Sequence, residues 1–137
     1  MESAGLNKHD LVLVIDDEAS SQALARLALE QLGFNNIAVV DDGAAALELL
    51  DRPQPAPALI ICDIFMPQAD GIELVNALAE RHFQGALVLV TGGDSQFLVI
   101  AKRVARFRGL RLLGSLHKPL SSTVLEQVLQ GGSAPAA

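Results

Sequence analysis

The chain has 137 residues, of which 50% are hydrophobic and 19% are charged, and its formal net charge is −6. These values predict one globular domain with a substantial core and exclude a disordered chain. The acidic balance argues against nucleic acid as a direct partner of the whole surface.

Strand and helix patterns alternate five times along the chain. The predicted strands are short apolar runs at 11–15, 37–40, 59–62, 86–90 and 112–116. The first of them, LVLVI, is continuous, which is typical of a strand covered on both faces. Each strand is followed by apolar residues at helical spacing. The five predicted helix faces are Leu24, Leu27, Ala28 and Leu32, then Ala46, Leu47 and Leu50, then Leu74, Val75 and Leu78, then Phe97, Ala101, Val104 and Ala105, and finally Val124, Leu125 and Val128.

Local signals mark the ends of these helices. Gly33 stands where the C-terminal cap of the first helix belongs. The alternating prolines of RPQPAP (52–57) end the second helix and favour an extended loop. Asp70, with Glu73 three positions later, resembles a capping box for the third helix. The hydroxyl residues at 121–123 can cap the fifth.

Strands that alternate with helices predict an α/β fold with a doubly wound, five-stranded parallel sheet. Right-handed crossovers leave few topologies, and five such strands commonly run in the order 2-1-3-4-5 of the flavodoxin-like (βα)5 fold. Binding sites in this fold form beyond the carboxyl ends of the strands, where strands 1 and 3 meet. We expect a flexible N-terminal segment at 1–9, the folded domain at 10–130, and a flexible tail or linker at 131–137.

Polar side chains follow four neighbouring strands of the predicted sheet. Because the carboxyl ends of parallel strands meet at one edge, we expect three carboxylates, one hydroxyl and one ammonium around a single depression. Asp41 and Asp42 follow strand 2 at the sheet edge, so we interpret them as a turn and a helix N-cap remote from the depression. The residues after the other strands are Asp16, Asp17 and Glu18, then Asp63, then Thr91, and finally His117 and Lys118.

Clustered carboxylates require a compensating cation. Two unit charges about 4 Å apart repel by roughly 4 kcal/mol at an effective dielectric constant near 20. Oxygen-only ligands suit a hard divalent ion, Mg²⁺ or Mn²⁺, whose incomplete shell can take phosphoryl oxygens. Lys118 adds a mobile positive charge and Thr91 adds a hydrogen-bond donor. The set predicts a phosphoryl clamp around Asp63 as a carboxylate nucleophile.

Four segments match one family in sequence and in spacing. VIDDE (14–18), LIICDIFMPQADG (59–71), VTGGD (90–94) and LHKPL (116–120) resemble the receiver domain of two-component response regulators, of which the chemotaxis receivers are an example. The resemblance covers about residues 10–130. It implies a bacterial phosphorelay protein that takes a phosphoryl group from a histidine kinase or a histidine phosphotransfer protein.

The resemblance also implies a role for each site residue. Asp63 would be the phosphoacceptor, Thr91 the switch hydroxyl and Lys118 the phosphate-binding lysine. A cis peptide bond would join Lys118 to Pro119. Such a protein promotes its own phosphorylation and dephosphorylation without being a turnover enzyme. The implied ligands of Mg²⁺ (or Mn²⁺) are Asp16, Asp17, Asp63 and the backbone carbonyl of Phe65.

The family often carries Tyr or Phe three residues before the lysine, as the second half of the switch. Here that position is Ser115, and the chain has no Tyr. Phosphorylation should still draw Thr91 inward, but an aromatic ring at position 115 cannot transmit the change. Phe65 and Gly93 flank the path of attack on Asp63. We interpret Phe65, Met66 and Phe97 as core or rim packing residues.

Five basic residues between 102 and 111 are half of all the basic residues in the chain. They predict a solvated helix face, or a surface for docking an output protein or for a homodimer through the fourth-helix to fifth-helix face. The residues are Lys102, Arg103, Arg106, Arg108 and Arg111. We expect no direct contact with nucleic acid, because the chain is acidic. We expect no membrane contact, because no apolar run approaches the roughly 18 residues that a spanning helix needs.

Two features predict a cytoplasmic protein. The start, MESAGLNKHD, lacks a basic-then-apolar signal pattern. Cys62 is the single cysteine and lies in an apolar run, which excludes an internal disulfide and indicates a reducing compartment.

Other readings of the sequence stay open. The chain could be the receiver portion of a larger output protein such as a cyclic-di-GMP phosphodiesterase regulator, which LLGSLHKPL and VTGGD loosely resemble. A small aspartyl-nucleophile phosphohydrolase is a second alternative, although Asp63 lacks a second acid two residues later. A degenerate receiver that serves only as a scaffold is a third. A nucleotide-binding fold lacks support, because neither GxGxxG nor GxxxxGK occurs.

Overall fold

A computed structural model of the chain describes residues 5–53, 55–65, 71–93 and 95–130. Within these ranges five strands and five helices alternate, and the predicted strands are confirmed to within one residue at each end. The elements are β1 (Val12–Ile15), α1 (Ala19–Gln31), β2 (Ile37–Val40), α2 (Gly43–Leu50), β3 (Leu59–Asp63), α3 (Gly71–Glu80), β4 (Ala86–Thr91), α4 (Ser95–Phe107), β5 (Arg111–His117) and α5 (Ser122–Leu129).

The five strands form one parallel sheet in the order β2-β1-β3-β4-β5. This order confirms the predicted doubly wound, flavodoxin-like class. The register brings the carboxyl ends of the central strands together, since Ile15 pairs with Cys62 and Asp63 pairs with Val90. One irregularity interrupts the β4–β5 pairing after Leu87. The aligned ends create the edge on which a site can form.

The core occupies both faces of the sheet. Leu13 and Ile15 of β1 pack in one cluster with residues of α2, α3 and α4. Val12 and Val14 pack in the other cluster with residues of α1 and α5. Successive side chains of a strand point to opposite faces, so both must be apolar when helices cover both. This explains the continuous apolar runs in β1, β3 and β4, whose residues are nearly all buried.

Two predicted helix faces need correction. In α1 the core side is Ala25, Ala28 and Leu29, whereas Leu24 and Leu27 are 39% and 49% exposed. Small alanine side chains let the helix approach the sheet closely, and the side chains of Leu24 and Leu27 lie to the side. In α4 the core positions are Leu98, Ala101 and Ala105, and Phe97 is 40% exposed. A leucine one residue further along the helix takes the position expected for the phenylalanine.

The predicted helix ends agree with the structure where it describes them. Gly33 follows the last turn of α1 with φ +98°, a conformation that glycine adopts at little cost. The Asp42 side chain accepts a hydrogen bond from a backbone N–H in the first turn of α2 at 2.8 Å. Ser121 does the same for α5 at 3.3 Å. Asp70, the predicted cap of α3, lies outside the described residues.

Residues 5–9, which we expected to be flexible, make tertiary contacts. The side chain of Leu6 packs against the core cluster beside α1. The ammonium of Lys8 donates a hydrogen bond to the carbonyl of Leu32 and lies 5.2 Å from the ring centroid of Phe34. The predicted tail at 131–137 lies outside the described residues. Among the described helices, none combines the length and the apolar composition needed to cross a bilayer.

Candidate functional site

The structure brings the predicted site side chains together at the carboxyl edge of the sheet. Asp16 follows β1, Asp63 ends β3, Thr91 ends β4 and Lys118 follows β5. Among the described residues, Asp16, Asp63 and Thr91 are the buried polar side chains. Burying a polar group costs free energy unless it is hydrogen-bonded, so three such groups at one edge indicate a purpose beyond packing.

Asp16, Asp17 and Asp63 form a three-carboxylate cluster. One oxygen of each lies within 4.8 Å of the others, with Asp16 and Asp63 buried and Asp17 exposed. The donor atoms are all carboxylate oxygens, which is the chemistry that a hard divalent cation prefers. The exposed member leaves one side open to water and ligand, so the residues fit a partly hydrated Mg²⁺ ion.

Lys118 lies against this cluster. Its ammonium is 3.0 Å from Asp16 Oδ2, 3.0 Å from Asp63 Oδ2 and 3.1 Å from Glu18 Oε1. Burial by itself would lower the pKa of Lys118, but the hydrogen bonds to Asp16, Asp63 and Glu18 outweigh it and raise that pKa above its usual range. Lys118 therefore carries its charge and neutralises part of the cluster.

The two oxygens of Asp63 have different partners. Oδ1 accepts a hydrogen bond from the backbone N–H of Phe65 at 3.0 Å, and Oδ2 accepts one from Lys118 at 3.0 Å. Burial raises the pKa of Asp63, these two hydrogen bonds oppose the rise, and the nearby charge of Asp16 adds to it. The net effect is a raised pKa, so the environment makes the carboxylate of Asp63 less stable than it would be in water.

Sequence reasoning assigned no role to Glu18 and did not single out Gln22. The pKa of Glu18 is lowered by its hydrogen bond with Lys118 and by a second one from Ser21. The side-chain amide of Gln22 donates one hydrogen bond to the backbone carbonyl of Asp16 at 2.6 Å and another to the carboxylate of Asp41. Glu18 follows two aspartates directly, which was a usable signal, whereas the Gln22 contacts depend on the tertiary structure.

The acids after β2 lie outside the three-carboxylate cluster. Asp41 accepts the hydrogen bond from Gln22 at 2.8 Å, and Asp42 caps α2. Within the described residues neither belongs to the group of acids that could share a metal ion. This placement matches the interpretation of these two residues as turn and cap.

The structure also describes the predicted cis bond and the side chains at the ends of β4 and β5. The bond between Lys118 and Pro119 is cis, as expected. Ser115 is half-buried within β5 and pairs with Leu89, and His117 is exposed at the end of the same strand. The hydroxyl of Thr91 accepts a hydrogen bond from the backbone N–H of Gly93 at 3.2 Å.

Phe65 and Phe97 lie at the rim of the site, which is one of the two placements expected for them. Their side chains are 54% and 40% exposed, and the ring centroids are 5.8 Å apart. The two rings contact each other beside the site instead of entering the core. Met66, which we also expected to pack, lies outside the described residues.

An open pocket of about 370 Å³ leads from the surface to Asp63. Asp17, Phe65, Gly93 and Lys118 are among the residues that line it. A carboxylate at its base, with further carboxylate oxygens and an ammonium beside it, can bind a small anionic group and provide an oxygen to which that group could be transferred.

This fold and site define a receiver domain. The sequence model described as the response regulator receiver domain matches residues 12–130. The chain therefore belongs to the response regulator receiver domain family, and the predicted resemblance is confirmed.

Known relatives include proteins of two lengths. The chain is 33% identical over 86 residues to the alkaline phosphatase synthesis transcriptional regulatory protein PhoP of Bacillus subtilis (strain 168). The matched stretch covers 63% of this chain and 35% of PhoP. It is 26% identical over 125 residues to the chemotaxis protein CheY-3 of Vibrio cholerae, covering 90% and 92% of the two chains. The chain thus spans about a third of the length of PhoP and nearly all of CheY-3.

A similar solved structure is that of a response regulator from Colwellia psychrerythraea. It superposes with a TM-score of 0.73 at 30% identity, covering 88% of this chain and 93% of that one. The fold assigned from strand order therefore agrees with an experimental structure from the same family.

Proposed function

We propose that the chain is a phosphoacceptor domain in which Asp63 receives a phosphoryl group from the phosphohistidine of a histidine kinase or a phosphotransfer protein. The observation that carries the proposal is the position of Asp63. Its carboxylate is 3% exposed at the base of an open pocket, 3.0 Å from an ammonium and within a cluster of three acids. Such a carboxylate is an accessible nucleophile with its counter-charges already in place.

Asp16, Asp17, Asp63 and the backbone carbonyl of Phe65 would hold Mg²⁺, or Mn²⁺ in its place. The oxygen-only donor set supports this assignment. When bound, the ion supplies positive charge next to the phosphoryl oxygens. Together with Lys118, it also offsets the repulsion between the carboxylates.

The transfer step exchanges one bond for another. A carboxylate oxygen of Asp63 forms a bond to phosphorus as the phosphorus–nitrogen bond of the donor breaks, and the imidazole leaves with the bonding electron pair. Lys118 binds a phosphoryl oxygen through an N–H that contacts a carboxylate in the resting chain. Water later attacks phosphorus, which restores the carboxylate and releases inorganic phosphate. The chain thus promotes its own phosphorylation and dephosphorylation.

Thr91 and Ser115 are the proposed switch positions. The Thr91 hydroxyl accepts a hydrogen bond from Gly93 in the resting chain and is free to donate its own proton to a phosphoryl oxygen. That movement would pull the start of the segment between β4 and α4 toward Asp63. Ser115 is too small to follow Thr91 as an aromatic ring would, so the signal needs another route to α4.

Receiver domains of response regulators interact with histidine kinases and with output domains. We propose a kinase or phosphotransfer protein as donor and an output protein or domain as the receiver of the signal, in the bacterial cytoplasm. The length of PhoP supports an output domain, and the length of CheY-3 supports a separate output protein. The exposed basic residues of α4, such as Arg103 and Arg106, suit an output partner or a homodimer through the α4 to α5 face.

Intact-mass measurement after incubation with acetyl phosphate and Mg²⁺ tests the proposal. We expect one added phosphoryl group on the wild-type chain and none on Asp63→Ala. Asp51→Ala is the control, because it removes an exposed acid that pairs with Arg81 and lies outside the cluster, and it should accept the group normally. A wild-type chain that gains no mass and binds no beryllofluoride, a stable phosphoryl mimic, would overturn the proposal.

A further inference from the structure

Two exposed aromatic rings meet at the rim of the site. Phe65 follows the acceptor by two residues, and Phe97 lies in the first turn of α4. Their ring centroids are 5.8 Å apart with an interplanar angle of 47°, which is within the range of favourable aromatic pairs. Neither ring belongs to the two core clusters of the described residues. The contact therefore does not serve the core.

The main chain of Phe65 is part of the site. Its N–H donates to Asp63 Oδ1 at 3.0 Å, and under the proposed function its carbonyl is a metal ligand. These two groups belong to the successive peptide units on either side of the Phe65 Cα, so a change in the φ or ψ angle of Phe65 would alter their relative orientation. The direction of the Phe65 main chain thus affects the orientation of the acceptor and the geometry of the metal site.

The residue before Phe65 is fixed by hydrogen bonds to β4 and to the first residue of α3. Ile64 is 2% exposed, its N–H donates to the carbonyl of Val90 at 2.9 Å, and its own carbonyl accepts from Gly71 at 3.1 Å. Phe65 lies beyond this anchored backbone and its side chain is 54% exposed. The ring of Phe97 contacts it from α4, and so limits the positions that Phe65 can take.

Gly93 also borders the ring of Phe65. A Cβ built on Gly93 would be 3.9 Å from two ring carbons of Phe65, which is ordinary van der Waals distance. The Gly93 N–H also bonds the Thr91 hydroxyl. The ring of Phe65 is therefore bordered by the segment that starts at the switch hydroxyl and by the helix that follows it.

We propose that Phe97 is a positioning residue for the metal and acceptor site. It acts through Phe65, whose main chain its ring holds in place, and it couples α4 to the chemistry at Asp63. The inference rests on the proposed function. Because coupling is reciprocal, a ligand at Asp63 that shifts Phe65 must also shift the environment of Phe97. This contact gives the signal a route to α4 that does not need an aromatic ring at Ser115.

The first experiment measures the Mg²⁺ dissociation constant by calorimetric titration. We expect Phe97→Ala to raise it about threefold to tenfold, the range that the loss of one aromatic pair represents. Phe97→Leu should retain part of the affinity. Phe107→Ala is the matched control, because Phe107 is the last residue of the same helix and is 89% exposed, and it should leave the constant unchanged.

A double-mutant cycle tests whether Phe97 acts through Phe65. If it does, Phe65→Ala with Phe97→Ala should raise the dissociation constant no more than the stronger single substitution does. Thermal unfolding without divalent ions checks that each variant folds, and we expect only small shifts because both rings are half-exposed. A stability change without an affinity change would mean that the ring contact only covers apolar surface, and it would overturn the inference.

Hydrogen exchange on α4 tests the coupling in the other direction. With Mg²⁺ and beryllofluoride, the wild-type chain and Phe107→Ala should change their exchange over residues 95–107, and Phe97→Ala should lose most of this change. An unchanged response and an unchanged Mg²⁺ affinity in Phe97→Ala would overturn the inference while leaving the proposed function intact. A wild-type chain that binds neither Mg²⁺ nor the mimic would overturn both.

Discussion

The carboxylate of Asp63 lies in an environment with opposing effects on its charge. Burial raises its pKa, whereas hydrogen bonds from Phe65 and Lys118 lower it, and the net direction is upward. The folded chain therefore binds a proton at Asp63 more readily than the unfolded chain does. Between the two pKa values the native state holds more protons, so the free energy of unfolding falls as pH rises through this window. A charged Asp63 thus reduces stability at neutral pH.

Removing this charge should stabilise the metal-free chain. We expect Asp63→Asn to unfold about 2 to 6 °C higher than wild type at neutral pH with a chelator present, because the amide oxygen can still accept from Lys118. The difference should shrink as pH falls through the pKa of Asp63, where the wild-type side chain becomes neutral. Circular dichroism melts at several pH values measure it. Equal or lower melting of Asp63→Asn at neutral pH would contradict this electrostatic interpretation.

A second residue with a local energetic cost lies far from the site. His82 follows α3 and has a φ of +54°. The N–H of the next residue, Phe83, donates a hydrogen bond to the carbonyl of Leu78 at 3.1 Å, as in a helix C-terminal cap. A side chain in this left-handed region costs about 1 kcal/mol relative to glycine. We attribute this backbone strain to the way α3 ends and not to the functional site, because His82 is exposed and lies outside the acidic cluster.

Replacing His82 should separate backbone strain from side-chain contacts. His82→Gly should raise the free energy of unfolding by about 0.5 to 1 kcal/mol, whereas His82→Ala, which keeps a Cβ, should not. Urea unfolding with a common slope provides the comparison. If Ala stabilises the chain as much as Gly does, the effect does not come from the positive φ.

At the scale of elements, close packing of α1 depends on small side chains. Ala28 is 2% exposed against the sheet, and the larger Leu27 beside it is 49% exposed. A pattern search that weights leucine over alanine therefore assigns the wrong face to this helix. In α4 the error is a shift of one residue, because Leu98 is buried where Phe97 was expected.

Paired substitutions in α1 test this packing. Ala28→Leu should reduce the free energy of unfolding by about 1 to 3 kcal/mol, because added methyl groups have no space between helix and sheet. Leu27→Ala, which removes a larger side chain from the exposed side, should cost less than about 0.5 kcal/mol. Denaturant unfolding gives both values. A larger loss for Leu27→Ala than for Ala28→Leu would mean that α1 buries a different face.

The strand order and the meeting of Asp16, Asp63, Thr91 and Lys118 could be predicted because both follow from alternation and handedness. The buried strands β1, β3 and β4 are continuous apolar runs, and Asp16, Asp63 and Thr91 directly follow those runs. The contacts of Glu18 with Lys118 and of Phe65 with Phe97 could not be predicted. They join elements distant in sequence through long side chains whose directions depend on packing.

At the scale of the whole molecule, clustered acidic residues and clustered basic residues lie in different regions. The net charge is −6, yet half of the ten basic residues lie between 102 and 111, on α4, in the turn after it and at the start of β5. The acidic cluster lies at the carboxyl ends of the central strands, which are buried on both faces. The sheet thus holds the acceptor at its carboxyl edge, and the basic residues lie toward the end of α4 that leads into β5. This arrangement suits a domain whose chemistry and partner contacts lie on adjacent elements.

The most direct measurement locates the phosphoryl group on the chain. After incubation with acetyl phosphate and Mg²⁺, borohydride reduction of the acyl phosphate followed by peptide mapping identifies the modified residue. We predict modification at Asp63, dependent on Mg²⁺ and abolished by Asp63→Ala. Modification of Asp16, Asp17 or a residue outside the cluster, or equal modification without a divalent ion, would contradict the assignment of Asp63 as the acceptor.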